Sequence, residues 1–183
     1  MKKVAAAVVV MGALGFAGTA AAGNLASHVF TWSGNVPAAS TQNGFIIKAS
    51  DTSDIKNGTL VFTTDTTGKG ILQSASTLDF NVFDYKDGAN VGAAAASYDY
   101  EMTNLAATKD GSVTEQFGNG YYKVVADGSD LVKNDPVTSK SGPTLLTVAA
   151  DTGTENQPSA GESIAVQATI VITNAIAAPS PSL

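Results

Sequence analysis

The chain has 183 residues, with ten Lys, no Arg, sixteen Asp plus Glu, one His and no Cys, for a formal net charge of -6. That length supplies one domain with one respectable core, not comfortably two. The inventory excludes a disulfide framework, a thiolate metal site and a thiol nucleophile. It leaves a single His for any Ser-His-Asp triad, and no clustered positive charge to meet a phosphate backbone, so nucleic acid is excluded as a partner. With 18 Gly and few charges, the chain reads as a secreted, structural, all-β protein.

Residues 1–22 read as a secretory signal. Met1-Lys2-Lys3 is a short positive start, Val4 to Ala22 carries no charge, and Ala20-Ala21-Ala22 is an A-x-A cleavage pattern, which sets the cut after Ala22. A membrane-spanning helix is the competing reading, but the run is rich in Ala and Gly and no basic stop-transfer cluster comes after it. Without a Cys after it, lipid anchoring is excluded. The mature chain is then Gly23 to Leu183, 161 residues with eight Lys against sixteen acids, a net charge of -8. Such a charge keeps a protein soluble in the periplasm and away from anionic membranes.

After residue 28 the commonest signal is alternation at period two. Phe45 to Ala49 and Thr59 to Thr63 are the first two strands of the body, and Asn57-Gly58 between them predicts a hairpin. Leu78, Phe80 and Val82 share one face, then Phe83 and Tyr85 the other, which predicts a bulge near Val82. Asp87-Gly88 marks a turn, and Tyr98, Tyr100 and Met102 alternate. Tyr121 to Ala126 and Thr144 to Ala149 are the next strands, divided by a long polar segment from Asp127 to Gly142. The clearest strand is the last, with Ile164, Val166, Ala168, Ile170 and Ile172 on one face. No stretch has helical periodicity; Ala93 to Ala96 is at most one turn. About seven strands at this spacing suit a sandwich. The body is 37–176, and 177–183 is a flexible Pro/Ser tail.

The most informative segment is 23–36, directly after the cut. In strand geometry Phe30, Trp32, Gly34 and Val36 project on one face, with His28 and Ala26 extending the row. An ordinary first strand explains this pattern. A Gly in the apolar row, however, suggests close approach by a bulky neighbour, and the run Pro37 to Gly44 detaches the segment from the strands of the body.

Phe30-Thr-Trp32-Ser-Gly34-Asn-Val36 resembles the N-terminal extension of chaperone–usher fimbrial subunits, and Pro158-Ser-Ala-Gly161-Glu before a long alternating strand is similar to the family's last turn and strand. The stretches Leu78 to Tyr85 and Ser97 to Met102 resemble major subunits of the common-pilus type. The Cys pair of many type 1-like subunits and the usual aromatic next to the C-terminus are absent. The resemblance implies an immunoglobulin-like β-sandwich lacking its final strand, completed by the donor strand 23–36 of a neighbouring subunit. Phe30, Trp32 and Val36 would be plugs and Gly34 the slim position; Ile164, Val166, Ala168, Ile170 and Ile172 would line the acceptor groove and core. Three buried plugs supply roughly 4–9 kcal/mol, an upper-end area figure, besides the backbone ladder of strand addition. The leading segment would thus complete a neighbour instead of its own domain. The implied partners are identical subunits in a head-to-tail filament, a periplasmic chaperone and an outer-membrane usher. An adhesive role would add a receptor on a host or other surface. The destination is the cell surface, in a fimbrium.

Other chemistries have little footing. Asp84 to Gly88 and Asp127 to Asp130 lack EF-hand spacing and read as turns. The four Glu sit in no glycosidase-like motif, and there is no G-x-S-x-G elbow or phosphate loop, so neither enzyme nor cofactor is expected. Asn57-Gly58-Thr59 matches a glycosylation sequon that a hairpin explains more simply. The competing function is a secreted carbohydrate-binding or matrix module, with Trp32, Tyr121 and Tyr122 as stacking surfaces.

Overall fold

The computed structural model describes residues 28–32, 44–85, 91–116 and 118–179, the first of these segments as backbone alone. Among them there are thirteen strands and no helix. The first six are β1 (His28–Trp32), β2 (Phe45–Lys48), β3 (Gly58–Thr64), β4 (Gly70–Ala75), β5 (Leu78–Tyr85) and β6 (Val91–Ala94). The long β7 (Ser97–Lys109) is followed by β8 (Ser112–Glu115), β9 (Tyr122–Ala126), β10 (Ser129–Leu131), β11 (Val137–Lys140), β12 (Thr144–Ala150) and β13 (Ile164–Ile176). The protein is all-β, as the composition and alternation predict.

Three sheets share one core. The largest has the order β10-β9-β12-β5-β2, with β6 also on β5; a second has β11-β7-β13, with β8 also on β7; the third is β1-β3-β4. Every ladder described is antiparallel. β4 comes alongside β12 and β1 alongside β13, so the three-stranded sheet spans the space between the other two.

The period-two pattern becomes burial most plainly in β7 and β13. Tyr98, Tyr100 and Met102 face the core, and so do Leu105 and Ala107. The change from even to odd positions happens at Thr103, where Asn104 pairs Thr169 but Met102 pairs Ile170, leaving one extra residue on β7. A second irregularity adds Thr173 on β13, after which Ala175 rather than Asn174 packs on the core. Two bulges of opposite sense restore the register, so both long strands stay inward-facing over thirteen residues.

Turn chemistry joins the hairpins. Asp110-Gly111 links β7 to β8 and Asp127-Gly128 links β9 to β10, all four residues with positive φ, the geometry of a two-residue turn that matches the strand twist. Asp127 also accepts the Leu145 amide (2.9 Å) and pairs with Lys140 (2.9 Å). The turn at Pro158–Glu162 forms as the sequence suggests. Gly161 has φ +84°, the Glu162 amide donates to the Ser159 carbonyl (3.1 Å), and the Glu162 carboxylate receives the Ser159 amide (2.5 Å) and Lys109 (3.0 Å).

Several expectations are corrected. Asn57-Gly58 is not a hairpin: β2 pairs with β5, setting Ile46 opposite Phe83 and Ile47 opposite Val82, while β3 pairs with β1 and β4. Two nearly sealed partners on β5 outcompete a local turn, and the chain turns instead at Ala49–Ser53, with Thr52 at φ 68°. Within β5 no extra residue is inserted at Val82; Val82 and Phe83 are both buried because the strand is covered on both faces there, and the irregularity lies across from β6, between Phe83 and Tyr85. The polar segment Asp127 to Gly142 is not one loop, since it contains β10 and β11. Ala93 and Ala94 belong to β6, not to a helical turn. The Asp87-Gly88 turn lies outside the described residues, as do residues 1–27 of the signal and leading segment and 180–183 of the tail.

Candidate functional site

The sequence points to two segments, the leading strand as donor and the last strand as acceptor wall, and in the single chain they lie beside each other along a seam. β1 runs antiparallel to β3 in unbroken register, from His28 opposite Phe62 to Trp32 opposite Gly58. On β3 the residues Gly58, Leu60 and Phe62 are buried, the last two at 0% and 3% exposure. Opposed residues of an antiparallel pair share a face, so positions 28, 30 and 32 lie on the core face of this sheet. Positions 30 and 32, two of the four expected as donor positions, thus share a face of the chain's own sheet. Gly34 and Val36 lie outside the described residues.

In the single chain this segment is not free, contrary to the reading that it serves only a neighbour: His28–Trp32 is hydrogen-bonded to its own β3. Its other side approaches β13 without joining it in a ladder. β13 is hydrogen-bonded on one edge, to β7, and its second edge is the wall of the seam. Unpaired strand edges attract a further strand.

The five residues proposed for the acceptor side do not share one environment. Ile164 and Val166 are sealed in the core at 4% and 0% exposure, whereas Ala168, Ile170 and Ile172 are partly buried against it. Ala168 and Ile170 also line an apolar cavity of about 60 Å³, together with Ile47, Leu78, Phe80 and Leu146. Ile55 and Asp79 are also among its lining residues. Asp79 accepts the Ser50 amide (2.7 Å) and the Ser50 hydroxyl. The hydroxyl bond is the larger reason that its carboxyl is held below the usual carboxylate range, the amide the next. The sequence reading missed Ile47, Ile55 and Leu146 as wall residues. Ile47 and Leu146 carried an alternation signal; Ile55, alone in a polar stretch, carried none.

Two of the three stacking residues of the competing reading, Tyr121 and Tyr122, are buried in the core. Tyr121 and Tyr122 are 5% and 2% exposed, packed edge to face at 5.0 Å, with the Tyr121 hydroxyl accepting the Leu72 amide (2.9 Å). The side chain of Trp32 is outside the described atoms. Among the described residues no three His, Asp or Glu side chains group to hold a metal ion.

These elements define an all-β protein in which the first described strand pairs with β3 and lies alongside β13. No protein-family model matches this sequence, and no curated protein is similar to it.

Proposed function

We propose that the chain is a structural subunit of a surface fimbria of the chaperone–usher kind, an immunoglobulin-like sandwich that polymerises by exchanging its leading strand. The observation that carries this reading is the seat of β1 between β3 and β13. A strand at the chain's N-terminal side, paired along one edge and followed by residues 33–43, can leave without breaking another ladder: β3 keeps β4 and β13 keeps β7. Its departure exposes a pair of strand edges over buried Leu60 and Phe62, a surface that β-strand addition fills with backbone bonds for strength and alternate side chains for register. If the same segment of a second copy takes the seat, the contact is head-to-tail and open-ended, so it builds a filament. A chaperone would guard the seat before assembly and an usher would deliver the subunit to the surface, after export directed by 1–22. The adhesive role comes from the filament rather than from any one residue.

The test is to purify residues 23–183 and the same chain lacking 23–36, then compare them by size-exclusion chromatography, electron microscopy and gel mobility with and without boiling. The longer chain should form filaments, or ladders that survive mild heating, and the shorter one should not extend them. A longer chain that stays a stable monomer, or a shorter one that polymerises equally well, would remove the reading.

A further inference from the structure

We infer that Asn57 is a self-modifying site, where the chain converts its own side-chain amide to a mixture of aspartate and isoaspartate beside the seat of the first strand. Asn57 is exposed, lies in neither a strand nor a turn, and among the described residues its side chain makes no hydrogen bond. Gly58 is next in the chain, and a residue without a Cβ lets its backbone nitrogen approach the neighbouring side chain. The Gly58 nitrogen attacks Cγ of Asn57; the new N–Cγ bond forms as the Cγ–Nδ2 bond breaks, and ammonia leaves with the proton that Gly58 gives up. Water then opens the five-membered imide at one carbonyl or the other, giving aspartate or isoaspartate. No oxidant or reductant is needed.

Comparison with Asn119-Gly120, the other Asn-Gly pair with both residues described, shows why Asn57 should react before Asn119. At Asn119-Gly120 the Asn119 carbonyl accepts the Glu155 amide (3.0 Å) and Gly120 bridges Glu155. The same peptide is crowded by Gly153, where even a Cβ would lie 2.1 Å from the Asn119 oxygen. Ring closure has to rotate that peptide, and there it is clamped. Asn57 also heads the tripeptide Asn57-Gly58-Thr59, but the Thr59 hydroxyl is tied to Ser76 Oγ (2.7 Å), which also receives the Thr59 amide (3.0 Å). The hydroxyl that a glycan acceptor site would present is thus occupied in the folded chain.

The position gives the reaction a consequence. Gly58 is opposite Trp32, at the last pair of the β1–β3 ladder. Isoaspartate inserts a methylene into the main chain one residue before that pair, and either product brings a negative charge to it. Ageing of the chain should therefore loosen this end of the seat, whether the strand in it belongs to the same copy or to another.

The test is to hold the full chain at mildly alkaline and mildly acidic pH and follow each Asn by peptide mass spectrometry, with isoaspartyl methyltransferase labelling. Asn57 should convert several-fold faster than Asn119, faster at the alkaline pH, and take the label; the exposed-site variant Asn57→Gln should leave the Asn119 rate unchanged. Hydrogen exchange should show amides 59–61 losing protection in the converted chain and not in equally aged Asn57→Gln. Conversion at Asn119 first, or none at Asn57, would overturn the site; equal loss of protection in both chains would overturn its effect on the seat.

Discussion

Two aromatic clusters in the one core are built differently. In the first, Phe80, Tyr98 and Tyr100 pack with ring centroids 5.5–6.0 Å apart, and the Tyr98 hydroxyl bonds both the Gly142 carbonyl and Thr144 Oγ1 at 2.8 Å. In the second, Phe62 stands edge-on to Tyr122 at 6.4 Å and Tyr122 to Tyr121 at 5.0 Å, yet among the described residues the Tyr122 hydroxyl is buried without a partner. The first cluster belongs to strands that are paired within the body. The second lies under β3, whose outer partner is the five-residue β1. The difference rests on single hydroxyls: Tyr98 is matched within the paired body, Tyr121 accepts the Leu72 amide, and Tyr122 beneath β3 is left unmatched among the described residues.

Alkaline pH tests both clusters at once and should have the largest effect. Burial pushes the Tyr98 hydroxyl up to about 12, and raises Tyr100 and, still more, Tyr122. Tyrosines of an unfolded chain ionise near pH 10. Between about 10 and 12 the unfolded chain therefore holds fewer protons than the folded one, so the stability these groups contribute, complete below pH 10, falls as pH rises. Tyrosinate absorbance from the buried rings should appear together with loss of the β-sheet circular dichroism. Ionisation of all the tyrosines near pH 10 in an intact fold would contradict the burial.

Truncation comes next in size. Tyr100 is 1% exposed and edge-on to Phe80 at 89°, so Tyr100→Ala should cost about 3–5 kcal/mol in urea unfolding. A pair of hydroxyl deletions then separates the clusters by sign. Tyr98→Phe takes the donor from the Gly142 carbonyl and the partner from the Thr144 hydroxyl and should cost about 1–2 kcal/mol, whereas Tyr122→Phe removes a buried hydroxyl without a partner among the described residues and should be neutral or stabilising by up to about 1 kcal/mol. Equal losses from the two variants would mean that the clusters do not differ in polar matching.

The same division separates what the sequence made legible from what it did not. Period-two patterning was enough for Tyr98, Tyr100 and Met102 and for the last strand, because burial on one face leaves an imprint every second residue. It failed where the determinant was a partner distant in sequence. Asn57-Gly58 carries hairpin chemistry, but β2 finds a better apolar match on β5; Tyr121 and Tyr122 are aromatic in a way that suits either a sugar or a core, and the core takes them. Nor can alternation register a bulge such as Thr103, which exchanges the buried parity of a strand without a change in residue type.

The smallest effect concerns the acceptor strand, where two neighbouring inward positions should respond in opposite directions. Val166 is 0% exposed and filled around, so Val166→Ile overpacks and should cost about 1–3 kcal/mol. Ala168, two residues on, borders the cavity of about 60 Å³ beside Ile170 and Leu146. Two added methyl groups there have room, and a β-branched residue suits a strand, so Ala168→Val should gain about 0.5–1 kcal/mol. Thermal melting of the two variants reads the difference directly. If both lose stability, the space beside Ala168 is not available to its side chain. If Ala168→Val alone gains, β13 is packed to completion at its start and left underfilled where Ala168 and Ile170 face Ile47, Leu78 and Leu146.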